Sequence, residues 1–450
     1  FNLKATIRHF CPNALNLTKK YDGADFSLNL LADFTGRSID DVQGKLRVDS
    51  IIVNAPDPEK CYSLAYLNIL AGTTGSTGKK QIEIRSPFLN GKVEGNYSYR
   101  TLPSSILKTV QRYLPSLLDP DKKLPETDNN FHFNLQLDNA ELLSIVADIP
   151  LELSMPASLQ GYFDDNRTRI QMRAYAPEFT YKGDYYEAGT FLCDNTDEGL
   201  QCLLRTNKRM KKGSMVNFAI NALAKEDRLK AIVNWGNNTA STFSGLIDAT
   251  ARFEKPETGE KLNTHIHIQP SQIILNDSIW KIHASDVIIR QGIIDVRNFL
   301  FEHQDQYIHA NGRIGKAETD SCIVDLNNIN LQYIMDIIQF HAVKFNGLIS
   351  GKVHLNHVLE KPVMQGRLDV KGFLLNDALL GRGDIKAEWD NELGGIRLLA
   401  DIRENTHYST YVDGYISPKA KGLDLHIRAG GTNLAFLQPF INGIFTNMQG

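Results

Sequence analysis

Apolar and polar residues alternate along most of this chain. Phe131 to Leu137 is apolar at every second position, with His132, Asn134 and Gln136 between. The same period of two recurs in Leu46–Val48, Ile82–Ile84, Ile266–Ile268, Leu368–Val370, Ile385–Trp389 and Leu423–Ile427. Successive side chains of a strand point to opposite faces, so each segment predicts a strand with one apolar face. Few amphipathic helices are available to cover those faces. We therefore predict a sheet that curls over on itself or holds an apolar ligand.

Turn dipeptides separate the alternating segments at short intervals. Examples are Asp22-Gly23, Asn90-Gly91, Lys182-Gly183, Asn311-Gly312, Asn346-Gly347 and Asp413-Gly414. Such pairs between apolar alternations are typical of hairpins. The fold predicted is all-β, an antiparallel meander with a few short helices.

Five short helices are predicted, near 102–114, 139–148, 214–225, 330–340 and 433–444. The first has an apolar stripe through Leu102, Ile106 and Val110. The second, fourth and fifth each follow a strand and open on an Asn that can cap the first turn. Helices this short are unstable alone, so they must dock their apolar stripes. A sheet that curls over on itself forms a groove, and we expect the three capped helices to lie in or across the mouth of this groove.

Strand, strand, capped helix and strand recur with irregular spacing, which divides the chain into segments 1–130, 131–270 and 271–450. An extended repeat architecture and an ordinary multi-domain β protein both fit this spacing. The chain opens on Phe1 without a signal peptide and ends on Gly450 within a unit. We expect it to be an internal piece of a longer protein.

Charge excludes one class of partner. The chain has 49 Lys and Arg residues against 52 Asp and Glu residues, a formal net charge of −3. No basic run marks a nucleic-acid or membrane-surface patch, so no nucleic-acid partner is expected. No stretch approaches the roughly 18 apolar residues of a spanning helix.

Several short motifs in order resemble the TamB family, which belongs to the AsmA-like proteins of diderm bacteria. They are Leu275–Ile282, Ile294–Phe299, Asp305–Gly312, Val324–Leu331, Gly347–Gly351 and Lys361–Gly366. The resemblance is closest to Bacteroidetes members and runs from about residue 130 to the end. The family's N-terminal membrane helix and C-terminal signature region are absent from this sequence.

The resemblance implies an elongated β-taco with an apolar interior. It also implies inner-membrane anchoring, a span across the periplasm and an outer-membrane partner of the TamA or BamA type, contacted through regions outside this chain. The function implied is transfer of phospholipids between membranes, or assembly of outer-membrane proteins. A β-solenoid acting on carbohydrate or in adhesion is a further alternative. The candidate lipid-contacting residues are Phe131, Phe133, Leu135, Leu137, Ile266, Ile268, Val324, Leu326, Ile334, Ile338, Leu368, Val370, Ile385, Trp389, Leu425 and Ile427.

Catalytic and metal-binding patterns are weak. Gly72 to Lys80 is glycine-rich, but it lacks the spacing of a phosphate-binding loop. His265 and His267 are predicted to share a strand face, yet the sequence places no carboxylate or Cys beside them at ligand spacing. No catalytic residue, metal ligand or cofactor is predicted, and the protein is not expected to be an enzyme.

Five cysteines are too few for a disulfide scaffold. Cys193 and Cys202 flank a polar turn and could face each other across a hairpin. Two small buried residues and a disulfide both fit this spacing.

Overall fold

A computed structural model gives the fold of most of the chain. It describes residues 1–14, 23–54, 61–74, 78–117, 125–143, 149–210, 213–237, 243–255, 261–275, 277–337, 344–360, 363–376, 378–403, 409–417 and 422–430. The chain divides into two compact units, Phe1–Ser244 and Gly245–Gly450. The three segments predicted from the sequence remain a prediction.

The first unit contains fourteen strands among its described residues. They are β1 (Asn2–Phe10), β2 (Asp25–Thr35), β3 (Gln43–Asn54), β4 (Tyr62–Thr73), β5 (Lys80–Arg85), β6 (Leu89–Asn96), β7 (Asn130–Leu137), β8 (Leu151–Leu153), β9 (Ala157–Asp164), β10 (Arg169–Tyr181), β11 (Asp184–Thr196), β12 (Gly199–Arg209), β13 (Met215–Lys225) and β14 (Arg228–Asn237). Consecutive strands pair antiparallel, except that β7 pairs with β9 and the short β8 lies beside β10.

The described residues of the second unit form β15 (Phe243–Glu254), which begins just before the unit, and thirteen more strands. These are β16 (Asn263–Ile268), β17 (Ser271–Leu275), β18 (Ser278–Ile282), β19 (Ser285–Arg290), β20 (Ile293–His303), β21 (Gln306–Ile314), β22 (Ser321–Asn330), β23 (Phe345–Asn356), β24 (Val363–Leu375), β25 (Ala378–Asp390), β26 (Gly395–Arg403), β27 (Ser409–Ser417) and β28 (Gly422–Gly430). From β20 onward each strand pairs antiparallel with the next, while β16 pairs with β19 around the β17–β18 hairpin. The all-β antiparallel prediction is confirmed.

Two α-helices are described over most of their length, α1 (Leu102–Tyr113) and α2 (Leu331–Ile337), together with 3-10 turns at Ile39–Asp41 and Pro115–Leu117. They confirm the helix predicted near 102–114 and the first two turns of that near 330–340. Of the helix predicted near 139–148, residues 141–143 are helical and 144–148 lie outside the described residues. The helix predicted near 433–444 lies wholly outside them.

The helix predicted over 214–225 is wrong, because this segment is the strand β13. It pairs with β12 on one side and β14 on the other over its whole length. Phe218 lies opposite Trp235, and Ile220 lies opposite Val233. The segment also has a period of two, with Asn217 and Asn221 on the polar face. Two complete hydrogen-bonded ladders outweigh the intrinsic helix preference of its Ala and Met residues.

Local bulges interrupt the ladders and bend the strands. In the second unit, register shifts occur around Asn298 and Asn328, which have φ angles of 51° and 49°. In each case a side chain on a neighbouring strand accepts a hydrogen bond from the displaced backbone N–H. The N–H of Asn298 donates to Asn311 Oδ1 at 3.1 Å, and that of Asn328 donates to Ser350 Oγ at 2.9 Å. These side chains replace the ladder hydrogen bonds that the bulges interrupt, and so they stabilise the bends.

Helix α1 docks through polar groups as well as through part of its predicted apolar stripe, of which Leu102 and Val110 are half-buried. Ser105 and Thr109 are its buried residues, whereas Ile106 is largely exposed. The fully buried Asn129 donates to Ser105 Oγ at 2.5 Å, and Ser105 donates to Asp165 at 2.8 Å. Helix α1 is therefore attached to the sheet by a satisfied hydrogen-bond network.

Candidate functional site

Apolar residues of the second unit lie directly opposite one another on successive strands. One such row runs from β22 to β28 through Leu326, Gly351, Leu368, Ile385, Ala400, Val412 and Ile427. Directly opposed residues of antiparallel strands share a face, with Cβ atoms about 4.5–5.5 Å apart. The row therefore forms a continuous apolar stripe that crosses seven strands.

A second row runs beside the first and contains the most deeply buried residues. Its members are Ile329, Ile349, Val370, Gly383, Ile402 and Thr410, on β22 to β27. Val370 is fully buried, and Ile329, Ile349 and Ile402 are almost so. These residues belong to one hydrophobic cluster that also contains Trp280 and Phe345. The cluster is the core of the second unit.

The two rows border a cavity of about 270 Å³. Its lining comes from β22 to β28 and from α2, and Thr410 is the single polar residue in it. The lining residues are Leu326, Leu331, Ile334, Met335, Phe345, Ile349, Val353, Met364, Leu368, Phe373, Leu375, Leu380, Ile385, Ala387, Ile396, Leu398, Ala400, Ile402, Thr410, Val412, Ile416, Leu425 and Ile427. We call this cavity the apolar interior of the second unit.

Helix α2 forms one wall of the apolar interior. Leu331, Ile334 and Met335 face the cavity. On its other side, the ring of Tyr333 meets the Trp280 ring edge-on, with centroids 6.4 Å apart. Asn330 Oδ1 accepts a hydrogen bond from the N–H of Gln332 at 2.9 Å, so Asn330 caps the first turn as predicted. The capped helix therefore docks its apolar stripe on the sheet.

The structure brings together most of the groove residues predicted after position 300. Leu326, Ile334, Leu368, Ile385, Leu425 and Ile427 line the cavity. Val370 lies in the buried cluster, and Val324 packs against it. Trp389 is half-buried on the strand face of Ile385 and Ala387, beyond the cavity lining. Ile338 lies outside the described residues.

Sequence reasoning missed several lining residues, among them Phe345, Phe373, Leu380 and Ile402. The alternation of β24 shifts by one position between Val370 and Phe373, where the register breaks around Gly372 at φ 59°. Because a bulge moves the apolar face from even to odd positions, period-two counting loses the residues beyond it. A Gly inside an alternating segment was the available signal.

Ile266 and Ile268 also lie in the second unit, on β16, but outside the lining of this cavity. Both are half-buried. Ile266 lies opposite Val287 on β19 and Ala251 on β15. They belong to an apolar strand face, as predicted.

Phe131, Phe133, Leu135 and Leu137 lie in the first unit, on β7. All four are half-buried, whereas His132, Asn134 and Gln136 between them are exposed. The ring of Phe131 packs against that of the buried Phe163 with centroids 5.6 Å apart. The predicted alternation of this strand is confirmed.

The apolar face of the first unit is incompletely covered. Ala174, Phe191, Leu204, Ile220 and Val233 lie opposite one another on β10 to β14. Leu204 is 39% exposed and Ile220 is 38% exposed. Exposed apolar surface costs about 25 cal/mol per Å². This stripe is therefore suited to covering by an apolar ligand.

The opposite face of the second unit is charged. Asp369 accepts from Arg382 at 2.7 Å, and Lys352 lies 3.7 Å from Asp325 on the next strand. A hydrogen bond from Arg403 holds the pKa of Asp401 below its ordinary value. The exposed Arg and Lys side chains of these pairs add little stability, but they keep this face in water.

His265 and His267 share a strand face and a carboxylate. His265 Nε2 and His267 Nδ1 lie 2.7 Å and 2.8 Å from Asp286 Oδ1 on β19. Burial raises the pKa of Asp286, but the hydrogen bonds from His267 and His265 outweigh it and hold that pKa below its ordinary value. The sequence could not show this carboxylate, because it comes from a strand 19 residues away. In the described part of the chain, no three His, Cys, Asp or Glu residues are arranged to hold a metal ion.

Comparison with known proteins gives no match to a family model, to a curated protein or to a solved structure. The resemblance to the TamB family therefore stays a prediction carried by the motifs. Within the described residues, the helices are too short and too polar to cross a bilayer.

Proposed function

We propose that the apolar interior of the second unit holds the acyl chains of phospholipids. The observation that carries this proposal is the cavity of about 270 Å³, whose lining is apolar except for Thr410. An apolar cavity of about 150 Å³ in another protein stays dry and binds benzene. The apolar interior of the second unit is larger and offers water almost no hydrogen-bonding partner, so its preferred occupant is hydrocarbon.

The shape of the lining favours a long hydrocarbon ligand over a compact ring-shaped one. The apolar row from Leu326 to Ile427 crosses seven neighbouring strands. The side chains of this row are aliphatic, and Thr410 is the single polar residue elsewhere in the lining, whereas sites for specific small molecules use several polar groups to orient them. An acyl chain needs only such a continuous surface. The exposed stripe at Leu204 and Ile220 supplies a similar surface in the first unit.

The proposal extends to a TamB-like role. In this role the full protein is anchored in the inner membrane, spans the periplasm and carries phospholipids toward the outer membrane. A TamA- or BamA-type barrel is the proposed outer-membrane partner, contacted through regions outside this chain. The motifs between Leu275 and Gly366 support this part of the proposal. Transfer of this kind requires no catalytic group, so the protein is proposed to be no enzyme.

Lipid extraction from the purified chain tests the proposal directly. Mass spectrometry should find phospholipid that remains bound through size-exclusion chromatography, and delipidated protein should take up fluorescent phospholipid from vesicles. A chain that contains no lipid and takes none up would contradict the proposal. Loss of outer-membrane protein assembly with lipid uptake intact would instead favour an assembly factor that pairs strands by their edges.

Photo-crosslinking tests which face of β7 meets lipid. A photoreactive residue in place of Phe133 should capture phospholipid, because this position lies on the apolar face. The same residue in place of Asn134 should capture none, because Asn134 is exposed on the polar face. Equal capture at the two neighbouring positions would remove the one-sided interpretation of this strand.

The docking of α2 can be tested by Ile334→Ser. Loss of this contact with the cavity should weaken α2 by about 1–2 kcal/mol and speed hydrogen exchange in Leu331–Ile337. Lipid content should change with it, because α2 forms one wall of the cavity. The matched control is Ile279→Ser, at a side chain that is 51% exposed. Unchanged exchange and lipid content in Ile334→Ser would show that α2 does not close the cavity.

A further inference from the structure

Cys193 and Cys202 lie directly opposite each other on β11 and β12. Their sulfur atoms are 2.9 Å apart. Opposed residues of antiparallel strands have Cβ atoms about 4.5–5.5 Å apart, close to the roughly 3.5–4.5 Å that a disulfide requires. A bond between the two sulfurs therefore needs only a small movement of the strands.

The surrounding structure holds the two sulfurs in this position. The ladder between β11 and β12 is unbroken from Thr190 opposite Arg205 to Thr196 opposite Gly199. Cys193 is buried and Cys202 is half-buried. Their neighbours in the same row are Met172 on β10 and Ala222 on β13, so both sulfurs lie on the apolar face.

We propose that Cys193 and Cys202 form a disulfide, made by thiol–disulfide exchange with a small-molecule disulfide or a disulfide-bonded oxidoreductase. This site is independent of the proposed lipid function. The proposal decides between the two interpretations that the sequence left open for these residues.

Accessibility and acidity both make Cys202 the attacking group. A hydrogen bond with Cys193 lowers the pKa of Cys202, while the same contact and burial raise the pKa of Cys193. The Cys202 thiolate attacks a sulfur of the donor disulfide and releases one donor thiolate, which takes up a proton. Cys193 then loses its proton and attacks the Cys202 sulfur, displacing the second donor thiol. Two electrons pass from the cysteine pair to the donor, which leaves as two thiols.

The bond would fix the pairing of β11 with β12. A slip of one residue moves every side chain of a strand to the other face. This pairing already contains a register shift between Glu187 and Thr190, only a few residues from the cysteines. A covalent link at Cys193 and Cys202 prevents that irregularity from propagating along the hairpin.

Peptide mapping tests the proposal. The folded chain is incubated with oxidised glutathione, its remaining thiols are alkylated, and it is cleaved after glutamate residues. Cleavage after Glu198 separates the two cysteines, so a disulfide will appear as two linked peptides that carry no alkyl group. Alkylation of both residues, or glutathione on each of them, would overturn the proposal.

Two variants make the result specific. In Cys202→Ser, Cys193 should become available to alkylation after denaturation and no linked peptide should form. The urea midpoint of the parent chain should be higher after oxidation than after reduction, because the link restricts the unfolded chain. In the double variant Cys193→Ala, Cys202→Ala the two midpoints should coincide. A redox-dependent shift of equal size in the double variant would assign the effect to other cysteines and contradict the proposal.

Discussion

Replacing Ile385 by arginine is expected to abolish lipid binding by the second unit. Ile385 lies in the middle of the apolar row, opposite Leu368 on one side and Ala400 on the other, and all three line the cavity. An uncompensated charge in such surroundings costs several kcal/mol. An acyl chain cannot occupy the cavity beside it, so uptake of fluorescent phospholipid from vesicles should fall to background.

Asp384→Arg is the matched control on the same strand. Asp384 precedes Ile385 and points to the charged face, opposite Asp369 and Asp401. An arginine there lies between two carboxylates, so folding and lipid uptake should be unchanged. Circular dichroism would establish whether Ile385→Arg keeps its sheet. Lipid uptake by a folded Ile385→Arg protein at the parent level would contradict the proposed site.

A second variant keeps the test decisive where Ile385→Arg does not fold. Ala387 also lines the cavity and is buried. Ala387→Leu adds apolar volume without adding charge, at a packing cost of about 1–3 kcal/mol. It should reduce lipid uptake because it fills space that the ligand would occupy. Unchanged uptake would place the lipid elsewhere on the chain.

The sequence predicted faces of strands better than it predicted pairs of strands. In β7, the alternation from Phe131 to Leu137 correctly predicted which side chains are exposed, because no bulge interrupts this strand. In β24, the shift around Gly372 carried Phe373 and Leu375 to the buried face, against simple alternation. Bulges depend on the partner strand, so a single strand's pattern does not fix them.

The error at 214–225 has a similar cause. Met215, Phe218 and Ala222 give a helical stripe, but the same segment offers Val216, Phe218, Ile220 and Ala222 to one face of a strand. Local preference could not decide between them. Pairing with both β12 and β14 decided it, and those contacts are not local in sequence.

The sequence predicted only part of the candidate site. Leu368, Ile385 and Ile427 could be predicted as apolar-face residues, because each lies in a clear alternation. That they lie in one row across the sheet depends on the register of four successive strand pairs, from β24 with β25 to β27 with β28. Register is set by turns and bulges together, and no single motif in the chain specifies it.

Ile402→Ala is expected to produce the largest loss of stability among conservative substitutions in the core. Ile402 is 2% exposed and belongs to the central hydrophobic cluster. It lies opposite Gly383 and Thr410, two small residues that cannot expand into the space left by its missing methylene and methyl groups. Truncations of this kind cost about 2–5 kcal/mol, and the upper half of that range is expected where the site cannot collapse.

The measurement is the urea midpoint of delipidated protein, because a bound ligand would add its own stabilisation to both forms. Ile323→Ala is the matched control, since Ile323 lies on β22 with 39% of its surface exposed. Its cost should stay below about 1 kcal/mol, because little apolar area is lost there. Equal costs at the two positions would mean that the row through Val370 and Ile402 does not form the core of this unit. Ile402 also lines the cavity. A large cost at Ile402 alone would therefore show that the packed face bordering the cavity holds the unit together.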